Sequence, residues 1–253
     1  MTDGRIDQEW YDSSSYFDAD TAHLTDLQST FQRYRVDNVL SIATPAADDR
    51  VVDLGCGWGT FEWVLGGRVR EIVGIDFSAR SIEICDKRLA EEGTPGVRFV
   101  QADAGDTQLP AGEWDLVICA DLFEHLYPAD SARVAHEAFR LLRPGGRFSV
   151  WTPHRGHLLE ILKNNRILLK PDPSHVDYKS MSVLEGLVRD AGFEIERSYY
   201  APSHLPGLRT AERLFQGIVP FLRRRIAVLG RKPVELDIPL DPLLSNQEDM
   251  DES

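Results

Sequence analysis

Apolar and polar positions follow a repeating order along the chain. Short apolar runs close on an acid or a Pro, and stretches of helical period separate them. Val51-Val52-Asp53-Leu54, Glu71-Ile-Val-Gly-Ile-Asp76, Val97-Arg-Phe-Val-Gln-Ala-Asp103 and Trp114-Asp-Leu-Val-Ile-Cys-Ala-Asp121 are four such runs, and Arg147-Phe-Ser-Val-Trp-Thr-Pro153 is a fifth. Brief apolar runs bounded by turn signals predict strands covered on both faces, as in a parallel sheet. Between them the pattern predicts a short helix to about Leu65 stopped by Gly66-Gly67, a helix capped by Ser78 to about Glu92, and a helix from Ala129 to Leu142 closed by Arg143-Pro-Gly-Gly146. Upstream, Leu24, Leu27, Phe31, Tyr34, Asn38 and Ile42 recur at steps of three and four, which predicts a helix over 23–42. Strand alternating with helix is the order of an α/β fold with a mostly parallel sheet.

Downstream, 156–169 carries apolar residues at helical spacing, and 170–178 is a loop by its prolines. A helix over Ser182–Ala191 and a strand over Phe193–Tyr200 follow, then a helical stretch from Leu205 to Leu222. Arg223-Arg-Arg-Ile-Ala-Val-Leu-Gly-Arg-Lys232 admits two readings. One is a basic helix lying on a membrane, the other a last antiparallel strand over Ile226–Leu229 with arginines on either side. Its position after a helix and before Pro233 favours the strand.

The turn after the first strand is distinctive. Gly55, Gly57 and Gly59 alternate with Cys56 and Trp58, Asp53 precedes them, and helix resumes at Phe61. Such a turn, at the carboxyl end of a strand in an open α/β sheet, is where a nucleotide-like ligand lies. Thr60 stands where a dinucleotide fingerprint would need its third Gly, which speaks against a nicotinamide-dependent dehydrogenase. An acid ending the next strand, Asp76, can take both hydroxyls of a ribose, because a carboxylate offers two acceptor oxygens.

Asp-x-Gly-x-Gly-x-Gly over 53–59, the acid at Asp76, the strand ending at Asp103, "DLFEHL" over 121–126 and "LLRPGGRF" over 141–148 stand in the order found in class I S-adenosylmethionine (SAM) methyltransferases, and the chain resembles that family over roughly residues 24–200. The resemblance implies a Rossmann-like sheet of seven strands, the last antiparallel, with helices on both faces. It assigns the methionine end of SAM to Asp53, Gly55, Cys56, Gly57 and Gly59, and the ribose to Asp76 with Phe77 beside it. Asp103 would accept from the adenine amino group, Ala104 would lie against the ring, and Ala120 would complete the cofactor wall. The same likeness divides the chain into a lid and helix (1–45), the SAM-binding core (46–155), the rest of the core with inserted acceptor-binding segments (156–233) and an acidic tail (234–253).

Charge narrows the class of acceptor. The net charge of −13 is concentrated at the ends: residues 1–20 hold six acids and one Arg, and 234–253 hold seven acids and no Lys or Arg. The middle is close to neutral and lacks the basic footprint of a nucleic-acid enzyme. Three cysteines, an odd number, suit reduced thiols and a cytoplasmic location. The chain has neither a signal-peptide pattern nor an apolar run long enough to span a bilayer. A small-molecule acceptor with a hydrophobic part is therefore expected, and a homodimer stays open. Trp10, Tyr11, Tyr16 and Phe17 in the acidic first segment read either as a loose tail or as a lid over the cleft.

The chemistry should come from groups after the fourth and fifth strands. His154, His175 and His125 are candidate general bases toward a hydroxyl, each with the alternative of a hydrogen-bonding structural His. Asp121, Glu124 and His125 form a run similar to the E-x-x-E-H of ubiquinone-biosynthesis O-methyltransferases, with Asp in place of the first Glu; that likeness implies a divalent metal. O-methylation is the expected reaction. Methylation of carbon or nitrogen, including on a lipid, and a non-catalytic SAM-binding protein are the rivals.

Overall fold

The computed structural model describes residues 6–13, 16–17, 21, 24–165 and 172–234. The acidic tail from 235 onward and the apolar stretch 167–169 lie outside the described residues. In chain order the elements are α1 (Gln8–Ser13), α2 (Thr30–Ala43), β1 (Arg50–Leu54), α3 (Thr60–Leu65), β2 (Glu71–Asp76), α4 (Ala79–Glu92), β3 (Val97–Gln101) and β4 (Trp114–Ala120). Then come α5 (Pro128–Leu141), β5 (Leu142–Pro153), α6 (Leu158–Asn164), α7 (Met181–Asp190), β6 (Glu194–Ala201), α8 (Pro206–Phe215) and β7 (Arg225–Arg231). The strands form one seven-stranded sheet in the order β3-β2-β1-β4-β5-β7-β6. β1 to β5 run parallel, and β7 inserts antiparallel between β5 and β6. The order reverses beside β1, between β2 and β4, which opens the crevice where such sheets bind ligands.

Each face of the sheet is sealed by its own helices. Val134, Ala135, Ala138 and Leu141 of α5 with Leu184 and Val188 of α7 pack against Val52, Val117 and Val228. On the other face Tyr34, Val39 and Ile42 of α2 and Phe61 and Leu65 of α3 cover Val51, Ile118 and Ala227. Ile226–Leu229 are buried in β7, so the basic stretch is the sheet's antiparallel strand and not a membrane-lying helix. The three cysteines are free and buried.

Two boundaries differ from expectation for visible reasons. Leu24–Ser29 form turns rather than the first turn of α2, which starts where the Ser29 side chain accepts from the Gln32 amide. Arg143–Gly146, expected as a turn, extends β5, because the Gly145 amide donates to the Lys232 carbonyl and the Lys232 amide donates back to Gly146, each at 2.9 Å. Gly145, at φ +79, supplies the left-handed residue this return needs. No described helix is long and apolar enough to cross a membrane.

Candidate functional site

The glycine loop is folded back onto the end of β2. The Gly55 and Cys56 amides both donate to the Ile75 carbonyl, at 2.8 and 2.9 Å. The Gly57 amide donates to Asp76 Oδ2 at 3.0 Å, and Asp76 Oδ1 takes the Ser78 amide at 3.0 Å. Gly55 (φ +77) and Gly57 (φ +53) hold left-handed conformations that a side chain would strain. A Cβ on Gly57 would meet nothing within 4 Å, whereas one on Gly55 would stand 2.9 Å from Leu122 Cδ1.

In front of this loop lies a cavity of about 450 Å³. Gly55, Gly57, Asp76, Phe77, Asp103 and Ala104 form one wall, Asp121, Leu122 and His125 another, and Tyr11, Tyr16 and Phe17 roof it. Five carboxylates line it against one guanidinium, Arg133, which suits a ligand carrying positive charge. Asp103 Oδ1 accepts from the Gly105 amide at 2.7 Å, and Oδ2 pairs with Arg133 at 3.0 Å.

Four of the expected cofactor residues, Asp53, Cys56, Gly59 and Ala120, are absent from this wall and are buried behind it. Asp53, 2% exposed, is pushed up to about 7, chiefly by burial, with Arg35 opposing and Asp76 reinforcing. Asp76 is pushed to about 6 by burial, against the pull of the Ser78 and Gly57 amides. Behind Asp53, Glu62 is wholly buried, and neither carboxyl oxygen has a partner among the described residues. Burial, then Asp53, drives its acid well above the usual range. The loop thus sits on a set of acids that are reluctant to ionise.

Toward β4 and β5 the polar groups are tightly held. Asp121 has φ +59, in the left-handed region, and its carboxylate pairs with Arg35 Nε at 2.6 Å and with Arg225. Burial alone would raise this acid, but Arg225 and then Arg35 outweigh it and hold it at about 2. Glu124 is buried, accepts the Thr152 hydroxyl at 2.8 Å, and is pushed to about 8 by burial and by Asp121. His125 Nδ1 lies 3.0 Å from the Tyr11 hydroxyl and 3.1 Å from the Ser174 carbonyl oxygen. Burial depresses the His125 imidazole, so it is neutral near pH 7.

The other two candidate histidines are placed differently. His175 packs edge-on to His125 with ring centres 4.8 Å apart, its Nδ1 2.7 Å from the Tyr178 hydroxyl. Its loop is locked down by the Val176 and Asp177 amides on the Glu124 carbonyl, and by the buried Lys179 ammonium on the Phe123 and Leu126 carbonyls. His154 is tied to the Arg223 carbonyl at 3.0 Å, beside Tyr200, and does not line the cavity. Of the three, only His125 reaches the cavity.

The metal set expected from sequence needs correction. Asp121 is taken by two guanidinium groups, which oppose a second cation there. The atoms brought within 4.8 Å of one another belong to Glu124, His125 and His175. Even these fit a divalent ion poorly, since Glu124 favours its neutral acid and His125 Nδ1 faces a hydroxyl and a carbonyl.

Sequence reasoning missed several participants. Tyr11 stood among the flagged aromatics, but nothing tied it to His125. Arg225 read only as part of a basic run, Arg35, Arg133 and Lys179 carried no signal, and Glu62 was overlooked. An acid inside the apolar run Phe61-Glu62-Trp63-Val64-Leu65 could have been noticed.

Comparison with known proteins agrees with this architecture. A family model described as a methyltransferase domain matches residues 51–146. The chain is 32% identical over 182 residues to the ubiquinone biosynthesis O-methyltransferase of Ralstonia nicotianae, covering 69% of this chain and 71% of that one. It is 29% identical to the uncharacterized methyltransferase YcgJ of Bacillus subtilis, over 57% of this chain and 56% of that one. Among solved structures, phosphoethanolamine N-methyltransferase 2 of Haemonchus contortus in complex with SAM superposes with a TM-score of 0.70 at 15% identity, covering 91% of this chain and 61% of that one. At that identity the likeness concerns the fold.

Proposed function

This chain belongs to the class I SAM-dependent methyltransferases, and we propose that it methylates a hydroxyl oxygen on a small acceptor with a hydrophobic part. The observation that carries the reading is the sharing of one cavity by the glycine loop, Asp76 and a neutral imidazole, His125. Its likeness to a ubiquinone biosynthesis O-methyltransferase supports oxygen as the atom methylated.

In this reading Asp53, through the backbone of Gly55, Cys56, Gly57 and Gly59, favours the cationic methionine end of SAM. Asp76 takes the ribose hydroxyls beside Phe77, Asp103 and Ala104 hold the adenine, and Ala120 backs the wall. When bound, SAM supplies an electrophilic methyl group on a sulfonium that leaves as a neutral thioether. The protein then has to align a hydroxyl and remove its proton. With Nδ1–H shared between the Ser174 carbonyl and the Tyr11 oxygen, His125 Nε2 keeps its lone pair and accepts that proton. His175 steadies the His125 ring edge-on, and His154 holds the Arg223 carbonyl just before β7. α1 with Tyr11, Tyr16 and Phe17 closes over the site and excludes water.

No step passes through a divalent ion, because Asp121 is committed to arginines. The test is a screen of phenols, catechols and aliphatic alcohols with labelled SAM, run with and without EDTA. Oxygen-methylated product whose rate EDTA leaves unchanged is expected. Abolition by EDTA would overturn the metal-free mechanism. SAM binding without methylation of any acceptor class, or product labelled at carbon or nitrogen, would count against the reaction proposed.

A further inference from the structure

The region where α6 and α8 meet has its polarity reversed. In a surface helix the charges face water and the apolar side chains face the core. Here the acids of both helices are turned inward: Glu160 is 5% exposed and Glu212 is fully buried. Glu212 is held there by His157, at 3.1 Å to Nε2, and by the Ser203 amide. Glu160 is held by the Tyr178 hydroxyl at 3.0 Å. The bond between His157, which leads into α6, and Glu212 of α8 makes the two helices one neighbourhood.

The outward positions are apolar. Leu214 is 67% exposed, Phe215 50%, Ile218 82% and Phe221 49%, and Leu158 and Ile161 of α6 are about 40% exposed each. Of the ten large hydrophobic side chains exposed among the described residues, seven lie in 158–161 and 205–221, with Leu205 the seventh. A soluble monomer rarely leaves so many apolar groups together unless something covers them.

Charge says what covers them. Residues 205–225 hold five arginines and one acid, in a chain of net charge −13. With that acid buried and Arg213 exposed, this edge offers water cations only, around an apolar crest. Arg225 is taken by Asp121, and Arg209, Arg223 and Arg224 are partly covered, so the exposed Arg213 is the main charge beside the crest. An apolar crest next to a guanidinium, with no exposed acid in 205–225, matches an anionic lipid surface, where the side chains enter the headgroup boundary and the guanidinium meets lipid phosphate.

We propose that the α6–α8 edge docks this protein reversibly on anionic bilayers. The edge also leads toward the catalytic cavity through Glu160, Tyr178 and His175 to His125, whose rings and polar atoms are in contact throughout. Docking therefore presents the acceptor side of the cleft to molecules dissolved in the membrane. The surface itself does not depend on which atom is methylated.

The test is co-sedimentation of the full chain with phosphatidylcholine vesicles and with vesicles containing phosphatidylglycerol. Binding is expected only with the anionic lipid, and it should weaken with salt. Phe215→Ser combined with Ile218→Ser should lower partitioning at least about tenfold. Arg213→Glu should lower it about fivefold or more. Val183→Ser, which removes an apolar group 50% exposed elsewhere, should leave it unchanged. Thermal melts and SAM affinity matching the parent would show that the crest variants are folded. Failure of the parent protein to bind anionic vesicles, or equal binding by the crest variants, overturns the proposal. So does a dimer in sedimentation equilibrium that the same double variant splits, since a second copy would then occupy the edge.

Discussion

Asp53→Asn should stabilise the empty protein at neutral pH while weakening its hold on the cofactor. Asp53 is buried under the glycine loop, and burial moves its acid from the ordinary 3.8 to about 7. Between those values the folded chain holds a proton that the unfolded chain has lost, so stability falls as pH rises and then levels off above about 7. At about 1.4 kcal/mol per pH unit, the carboxylate costs the empty protein about 2 kcal/mol at pH 5 and about 4 kcal/mol at pH 8. Asn has the same shape and no charge. Its advantage over the parent should therefore grow by about 2–3 kcal/mol from pH 5 to pH 8. Urea unfolding at both pH values reads this difference directly. SAM affinity by calorimetry should fall about tenfold, because a buried charge behind one layer of backbone acts on the ligand at a distance. A variant less stable than the parent by the same amount at both pH values would refute the reasoning, because Asp53 would then be an ordinary structural acid.

His125→Gln should reduce kcat about 100-fold or more with SAM affinity unchanged. Because burial depresses this imidazole, the parent rate should fall with acid only below the ordinary His value of 6.5, and the variant should lose that limb; a limb that persists would exclude His125 as the base. Gly55→Ala places a methyl group 2.9 Å from Leu122 Cδ1 at φ +77, and should cost about 2–4 kcal/mol in urea unfolding. Adding Leu122→Ala should return the steric share and leave the share due to backbone strain. Arg225→Gln leaves Asp121 with Arg35 alone and should destabilise by about 3 kcal/mol. The pair Arg225→Gln and Asp121→Asn should be less harmful than the first change alone, and an additive result would show that the two groups are not coupled.

How much of this was legible from sequence follows from what the residues contact. The strands, their acids and the glycine turn answer to local rules, namely period, length and the φ freedom of Gly, so their placement was readable. Ser78 as a helix cap was readable for the same reason, and its side chain does accept from the Ser81 amide. The acceptor side was not. His125 meets Tyr11 across 114 positions, and Asp121 meets Arg225 across 104. Nothing local marks Arg225 as the partner of Asp121 rather than as one of three consecutive arginines. The place of Asp121 in the expected metal set fell on the same ground: Asp121-x-x-Glu124-His125 has suitable donors in suitable spacing, and the spacing does not reveal the guanidiniums already on Asp121. Nor does helical period reveal that α8 is turned with its acid inward, because that depends on His157 and on the backbone of Ser203.

The roof of the cavity links these two halves. α1 is a six-residue helix, too short to hold its shape unaided, so its order comes from what it touches. Asp12 accepts from the Ser78 hydroxyl at 2.5 Å and from the Arg80 amide at 3.2 Å, which gives α4 a second cap just after Asp76 and Phe77. Tyr11 lies edge-on to Phe77 with ring centres 5.2 Å apart and places its hydroxyl 3.0 Å from His125. One tyrosine therefore joins the corner proposed for the ribose to the proposed base. Asp76 Oδ1 also holds the amide of Ser78, whose hydroxyl donates to Asp12, so a ligand that moves Asp76 is expected to shift the seat of α1, and with it the hydroxyl beside His125. On the proposed mechanism, the base is therefore expected to be fully positioned only when the roof is seated.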